Sequence, residues 1–169
     1  MSNSVIVNKE IYDEFLRKVA FKAKESLWIM TGVSSDFRVQ IISKKTYRIS
    51  EVLIALSKDI DLRIISGKDS TQSTLVKKIE SHDPSLVFHC PRSHGKVFIV
   101  DGKKAYVGSG NLTGTGMGKV ETSARNWEIG VIIEDYLEIW KLIDFFQRIW
   151  EREFCLDCKY RGRCDKKFG

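Results

Sequence analysis

His94-Gly95-Lys96-Val97-Phe98-Ile99-Val100-Asp101, followed by Gly108-Ser109-Gly110-Asn111, carries the most information in the chain. It sets an imidazole, an ammonium, a hydroxyl and an amide within one short span. The spacing predicts a β-hairpin. His94, Lys96 and Phe98 alternate with Gly95, Val97 and Ile99, so His94 and Lys96 share one face of the first strand. Asp101-Gly102 is a turn signal. The return strand Ala105-Tyr106-Val107 carries Ser109 and Asn111 back toward the start of the first. A cation, neutral donors and a nucleophile gathered at one point suit a phosphate diester better than a peptide or a sugar.

The flanking sequence reads as alternating helices and strands, then a run of strands. A helix is expected over Asn8–Ser26, from Ile11, Phe15, Val19 and Ala23 at helical spacing. Leu27–Met30 is a buried strand. Arg38–Ile42 fits either a strand or an extended loop. Thr46–Lys58 is helical, Asp61–Ser66 a strand, Ser73–Ser81 a short helix and Ser85–His89 a strand. After the hairpin come a strand over Trp127–Glu134 and a long helix over Tyr136–Phe154. This order implies a mixed α/β fold, a central mixed sheet with helices on both faces. The chain divides into a domain over residues 1–154 and a Cys-rich basic tail over 155–169.

At 169 residues the chain can bury a sizeable core, and 43% hydrophobic content with two prolines argues against disorder. A net charge of +6 favours an anionic partner. No apolar run approaches the roughly 20 residues needed to cross a bilayer. The N-terminus lacks the apolar stretch of a signal peptide, so a cytoplasmic location without membrane attachment is expected.

The pattern H-x-K-x4-D with a following G-S-x-N resembles the HKD signature of the phospholipase D superfamily, and every signature position matches. The resemblance implies a phospholipase D-like fold and a phosphodiesterase. Among relatives it points to the small dimeric endonucleases that carry one motif per chain. It assigns catalysis to His94, Lys96, Ser109 and Asn111. Glu128, in Asn126-Trp127-Glu128-Ile129-Gly130, resembles the family's downstream acidic residue, which would hold the other ring nitrogen of the histidine. Asp101 lies seven residues from His94, roughly 23 Å along an extended strand. Its expected role is structural, hydrogen bonding the turn.

Cleaving a phosphodiester requires a nucleophile on one side of phosphorus and a proton donor on the other. One imidazole cannot easily serve both. The chain has three histidines, and only His94 lies in the motif. His82 reads as a turn residue and His89 as a local group or one that supports a site residue from behind. A second copy of the chain most economically supplies the missing imidazole, so a homodimer with one composite site is expected. One His94 would form a phosphohistidine and the other would protonate the leaving oxygen. Paired Lys96 ammonium groups would hold the nonbridging oxygens, so catalysis would need no metal.

Cys155, Cys158 and Cys164 close the chain, and Cys90 precedes the motif. In a reducing compartment they suggest a thiolate site that staples the tail, with zinc ahead of an iron–sulfur cluster. Free thiols are the plain alternative, and His89 is a weaker ligand candidate. Lys159, Arg161, Arg163, Lys166 and Lys167, with Tyr160 and Phe168 between them, could contact nucleic acid or form a solvated terminus.

Small size, one motif and positive charge make a nuclease acting on DNA or RNA the first expectation. The alternatives are a phospholipase D-type lipid hydrolase, and a nucleic-acid-binding module whose phosphate site does not cleave. The lipid reading wants an apolar patch or membrane-docking loop beside the site. Gly114–Gly118 lacks the aromatic residues of such a loop.

Overall fold

The computed structural model describes residues 3–41, 45–67, 73–120 and 126–160. The strands are β1 (Ser4–Val7), β2 (Ser26–Thr31), β3 (Arg38–Gln40), β4 (Thr46–Arg48), β5 (Asp61–Ser66), β6 (Val87–His89), β7 (Val97–Val100), β8 (Lys104–Gly108) and β9 (Ile129–Ile133). The α-helices are α1 (Ile49–Leu56), α2 (Thr74–His82) and α3 (Tyr136–Trp150). Seven strands form one sheet in the order β1-β9-β8-β7-β2-β5-β6, and β3 and β4 form a separate hairpin. β2, β5 and β6 run parallel, while the other pairs in the sheet are antiparallel. The fold is mixed α/β, a central mixed sheet covered on both faces, as the sequence implies.

The two faces of the sheet carry different cores. Ile29, Phe98 and Tyr106 face the side covered by α1, α2 and the helical turns after β1. There Phe15 stacks on Tyr106 with centroids 5.1 Å apart, and Phe98 meets Phe15 edge-on at 5.6 Å. Trp28, Met30, Val97 and Ile99 face α3, whose Phe146 stacks on Trp28 at 5.2 Å. Strand alternation thus partitions one sequence between two cores. Asp135 caps α3, its Oδ1 accepting from the backbone N–H of Leu137 at 3.0 Å and of Glu138 at 3.2 Å.

Four local readings change. The helix expected over Asn8–Ser26 is one wide turn (Ile11–Leu16) and one tight turn (Ala20–Lys22), and β2 already begins at Ser26. Ile11, Tyr12, Phe15 and Leu16 are all buried, and the widened turn lays all four on the core. Ser4–Val7 is an edge strand paired with β9, which helical periodicity could not indicate. The helix expected from Thr46 starts at Ile49, because Thr46–Arg48 pairs with Arg38–Gln40. His82 is the last residue of α2 rather than a turn residue.

The hairpin forms as expected. Asp101 and Gly102 take φ of 54° and 60°, and the Lys103 N–H donates to the Val100 carbonyl at 2.9 Å. The Asp101 side chain acts beyond its own turn, however. Its Oδ1 accepts backbone N–H bonds from Lys24 at 3.0 Å, Glu25 at 2.8 Å and Ser26 at 3.0 Å. The carboxylate therefore clamps the hairpin tip to the start of β2. Burial pulls its pKa up, but the N–H groups of Ser26, Glu25 and Lys24 and the nearby Lys103 charge win, and the net shift is downward.

A depressed carboxylate pKa stabilises the fold above the unfolded-state value, and that contribution is lost as pH falls through the folded-state value. Asp101→Ala should lower unfolding free energy at pH 7 by about 2–3 kcal/mol, the scale of hydrogen bonds to a charged group. Urea unfolding at pH 7 and at about pH 3 measures it. The gap between wild type and variant should shrink in acid.

Candidate active site

The motif residues collect where β2 ends, β7 begins, β8 ends and β9 begins. Met30 pairs with Val97, Val97 with Val107, and Gly108 with Gly130, so these four chain segments end side by side. His94 and Lys96 lie in the segment leading into β7 rather than in the strand itself. The parallel β2, β5 and β6 also end at this edge. Ligands commonly bind at the carboxyl ends of such strands.

His94 and Lys96 are in contact. Lys96 Nζ stands 3.1 Å from His94 Nδ1, 3.3 Å from Nε2, and 2.7 Å from the His94 carbonyl oxygen. Nζ thus faces both ring nitrogens, whose donor and acceptor roles follow the tautomer. Burial pushes the Lys96 pKa below the usual lysine value, and the Glu128 carboxylate pulls it partly back.

Asn111 is held by the loop after β2. Its Oδ1 accepts from the Val33 N–H at 3.1 Å, which leaves the amide N–H groups as donors for a ligand. A Cβ added to Gly32 would sit 3.4 Å from both Asn111 Oδ1 and His94 Cδ2, so amide and imidazole flank the same glycine. Leu112 strengthens the connection, its N–H donating to Thr31 Oγ1 at 3.1 Å and its carbonyl accepting from Ser35 at 3.0 Å.

Ser109 and Glu128 form a second pair. The Ser109 hydroxyl donates to Glu128 Oε2 through a short hydrogen bond, and Ser109 Oγ accepts from the Ile129 N–H at 3.1 Å. Glu128 is buried, while Ser109 and His94 are exposed. Within this chain the carboxylate thus takes the Ser109 hydroxyl, not the His94 ring expected from the resemblance. Beneath the pair lies Tyr106. Cβ atoms added to Gly108 and Gly130 would lie 2.6 and 2.7 Å from Tyr106 Cζ, so the ring covers both glycines of this cross-strand pair. Burial pushes the Tyr106 phenol up to about 12, which keeps it neutral under the site.

The structure therefore gathers His94, Lys96, Ser109, Asn111 and Glu128 at one sheet edge and sends Asp101 to the far end of the hairpin. The loop after β2 was missed from sequence. Val33 and Gly32 carry no chemical signature, and only the fold brings them beside Asn111.

A match to the family described as cardiolipin synthase, PLD-like domain, spans residues 16–150. The chain belongs to the phospholipase D-like family. Solved structures share the fold at low identity. NucT from Helicobacter pylori superposes with a TM-score of 0.67 at 18% identity, covering 89% of this chain and 96% of NucT. Nuc from Salmonella typhimurium, a phospholipase D family member, gives 0.61 at 20% identity, covering 89% and 94%. TrmBL2, an archaeal chromatin protein with a novel mode of DNA binding, gives 0.57 at 15% identity, covering 90% of this chain and 53% of TrmBL2. No curated protein matches the chain.

Beside this phospholipase D-like site, Cys90, Cys155 and Cys158 line one cavity. Burial raises the Cys155 pKa, and Cys90 and Cys158 add to the rise. Cys158 moves the other way, lowered first by the Tyr160 backbone N–H and further by Arg92. Cys164 and the basic residues Arg161, Arg163, Lys166 and Lys167 lie outside the described residues. Among the described residues no three His, Cys, Asp or Glu side chains are grouped to hold a metal ion. His89 is buried and bonded through Nε2 to Glu80 at 2.7 Å, so its partner is a carboxylate on α2. No helix among the described residues is long and apolar enough to cross a membrane.

Removing the Glu128 charge takes away the influence that raises the Lys96 pKa. Glu128→Gln should therefore lower that pKa further. Lysine side-chain NMR titration should show Lys96 deprotonating at lower pH in the variant than in wild type.

Proposed function

We propose that the chain is a metal-independent endonuclease of the phospholipase D type, working as a cytoplasmic homodimer with one composite site. The observation that carries the reading is the contact between His94 and Lys96, with Asn111 beside them. This is half of a phosphodiester site. NucT and Nuc, a phospholipase D family member, share this fold over nearly their whole length, which supports the reading. The charge of +6 supports a polyanionic substrate.

In the first step His94 of one chain attacks phosphorus, and the bond to the leaving oxygen breaks. The partner subunit's His94 gives its proton to that oxygen. The product is a phosphohistidine and a free hydroxyl end. In the second step the partner subunit's His94, now a base, removes a proton from water. The water oxygen bonds to phosphorus and the P–N bond breaks, restoring both imidazoles. Lys96 and Asn111 hold the nonbridging oxygens as charge develops. Ser109, whose hydroxyl is taken by Glu128, fixes that carboxylate beside the phosphate.

A second reading, a DNA-binding module that does not cleave, draws support from TrmBL2, described as a DNA-binding chromatin protein. A phospholipase D-type lipid hydrolase is a third, supported by the cardiolipin synthase description of the family. A structural zinc held by Cys90, Cys155, Cys158 and Cys164 is a separate proposal, and elemental analysis of the purified protein reads it at one zinc per chain.

Wild type should cleave labelled nucleic acid in the presence of chelator, and His94→Ala should lower the rate by at least about a thousandfold. Denaturing gels against time give the rates, and digests quenched in alkaline detergent should retain label on His94. A monomer by light scattering, or undiminished cleavage by His94→Ala, overturns this reading. Salt-sensitive binding without product would favour the non-cleaving module.

A further inference from the structure

Beside the phosphate-binding edge lies a cavity of about 450 Å³ that includes His94 in its lining. Strand alternation explains its position. His94 and Lys96 turn to one side of the segment entering β7, while Ser93, Gly95 and Val97 turn toward α3 and line the cavity. Met30, Val97, Phe145, Ile149 and Phe154 give it apolar walls. The rings of Phe145 and Phe154 stand 6.3 Å apart, tilted by 47°, and both are partly exposed. Besides His94 and the thiols of Cys90, Cys155 and Cys158, two polar side chains interrupt this lining. Arg92 is an exposed cation. The Ser93 hydroxyl is buried without a hydrogen-bond partner among the described residues, although Ser93 is only 8% exposed.

Buried hydroxyls are rarely left unbonded, and one that is unbonded at a cavity wall suits a ligand with a polar edge. A flat ring with an apolar face and a hydrogen-bonding rim fits both parts of the lining. An acyl chain would fill the apolar part and leave the hydroxyl unsatisfied. We propose that this cavity receives one nucleobase of the substrate, unstacked from its strand, next to the phosphate held by His94 and Lys96. The base stacks against the Phe145–Phe154 wall and bonds its edge to Ser93, while Arg92 meets the flanking backbone. The proposal rests on the nuclease reading and narrows it. A paired base would have to leave its helix first, so the substrate is single-stranded or locally opened nucleic acid.

The test uses the full chain and two 12-nucleotide single-stranded DNA probes, one intact and one with three central bases replaced by abasic residues. Fluorescence anisotropy gives affinities, and gel assays follow cleavage in parallel. Wild type should bind the intact probe at least about fivefold more tightly, the scale of one stacked base. Ser93→Ala should reduce that preference several-fold. Ile149→Trp, which fills the cavity, should bring it close to one, with circular dichroism reporting whether each variant folds. Equal affinities in wild type, or a preference unchanged in folded Ser93→Ala, overturn the cavity assignment. So does base-independent binding accompanied by uptake of phosphatidylglycerol vesicles, which marks an acyl-chain site. Cleavage of both probes at equal rate with equal affinity sinks the cavity and keeps the nuclease. Base-dependent binding with no cleavage keeps the cavity and sinks the nuclease.

Discussion

The carboxylate of Asp101 is the fixed point from which the active-site geometry follows. It accepts three consecutive backbone N–H groups at Lys24, Glu25 and Ser26, locking the tip of the β7–β8 hairpin to the start of β2. That clamp agrees with the antiparallel register of Leu27 on Val100 and Met30 on Val97. A slip of one residue would turn every side chain of β7 to the opposite face. Phe98 would leave the Phe15–Tyr106 core, and Val97 and Ile99 would leave α3. With the register held, the other end of β7 delivers His94 and Lys96 to the loop after β2. The acidic residue of the motif thus acts on chemistry a strand length away, by setting where the strand sits.

The site is polar and open, while its supports are buried. His94 and Ser109 are exposed, but Glu128, Leu112 and Thr31 beneath them are not. Asn111 is oriented by a backbone donor and Ser109 by both a carboxylate and a backbone N–H. Supporting bonds of this kind limit the motion of the exposed groups above them. Tyr106 fills the space under Gly108 and Gly130, where any side chain would displace its ring. The arrangement tolerates exposure of its reactive groups because the rigidity comes from below.

Much of this was legible in the chain. Alternation through the motif placed His94 and Lys96 together, the Asp101-Gly102 pair marked the turn, and short apolar runs marked the central strands. The N-terminal region was misjudged because Ile11, Phe15 and Val19 sit at helical spacing, yet the core they meet is better covered by a widened turn and a short tight one. The Ser4–Val7 strand carries no alternation, and its pairing partner lies more than a hundred residues away. Glu128 was found through resemblance, but its bond to Ser109 depends on the Gly108–Gly130 pairing.

By itself the sequence determined the chemical inventory and its local order: which groups can bind and attack a phosphate, which residues turn the hairpin, and which stripes must be buried. These are properties of near neighbours in the chain, set by side-chain chemistry and backbone period. Only the tertiary structure decided that Asp101 clamps a distant segment, that Val33 holds Asn111, and that a cavity opens beside His94 between the sheet and α3. Those outcomes depend on contacts between residues far apart in sequence. No local pattern encodes them, because they exist only once two cores close on the two faces of one sheet.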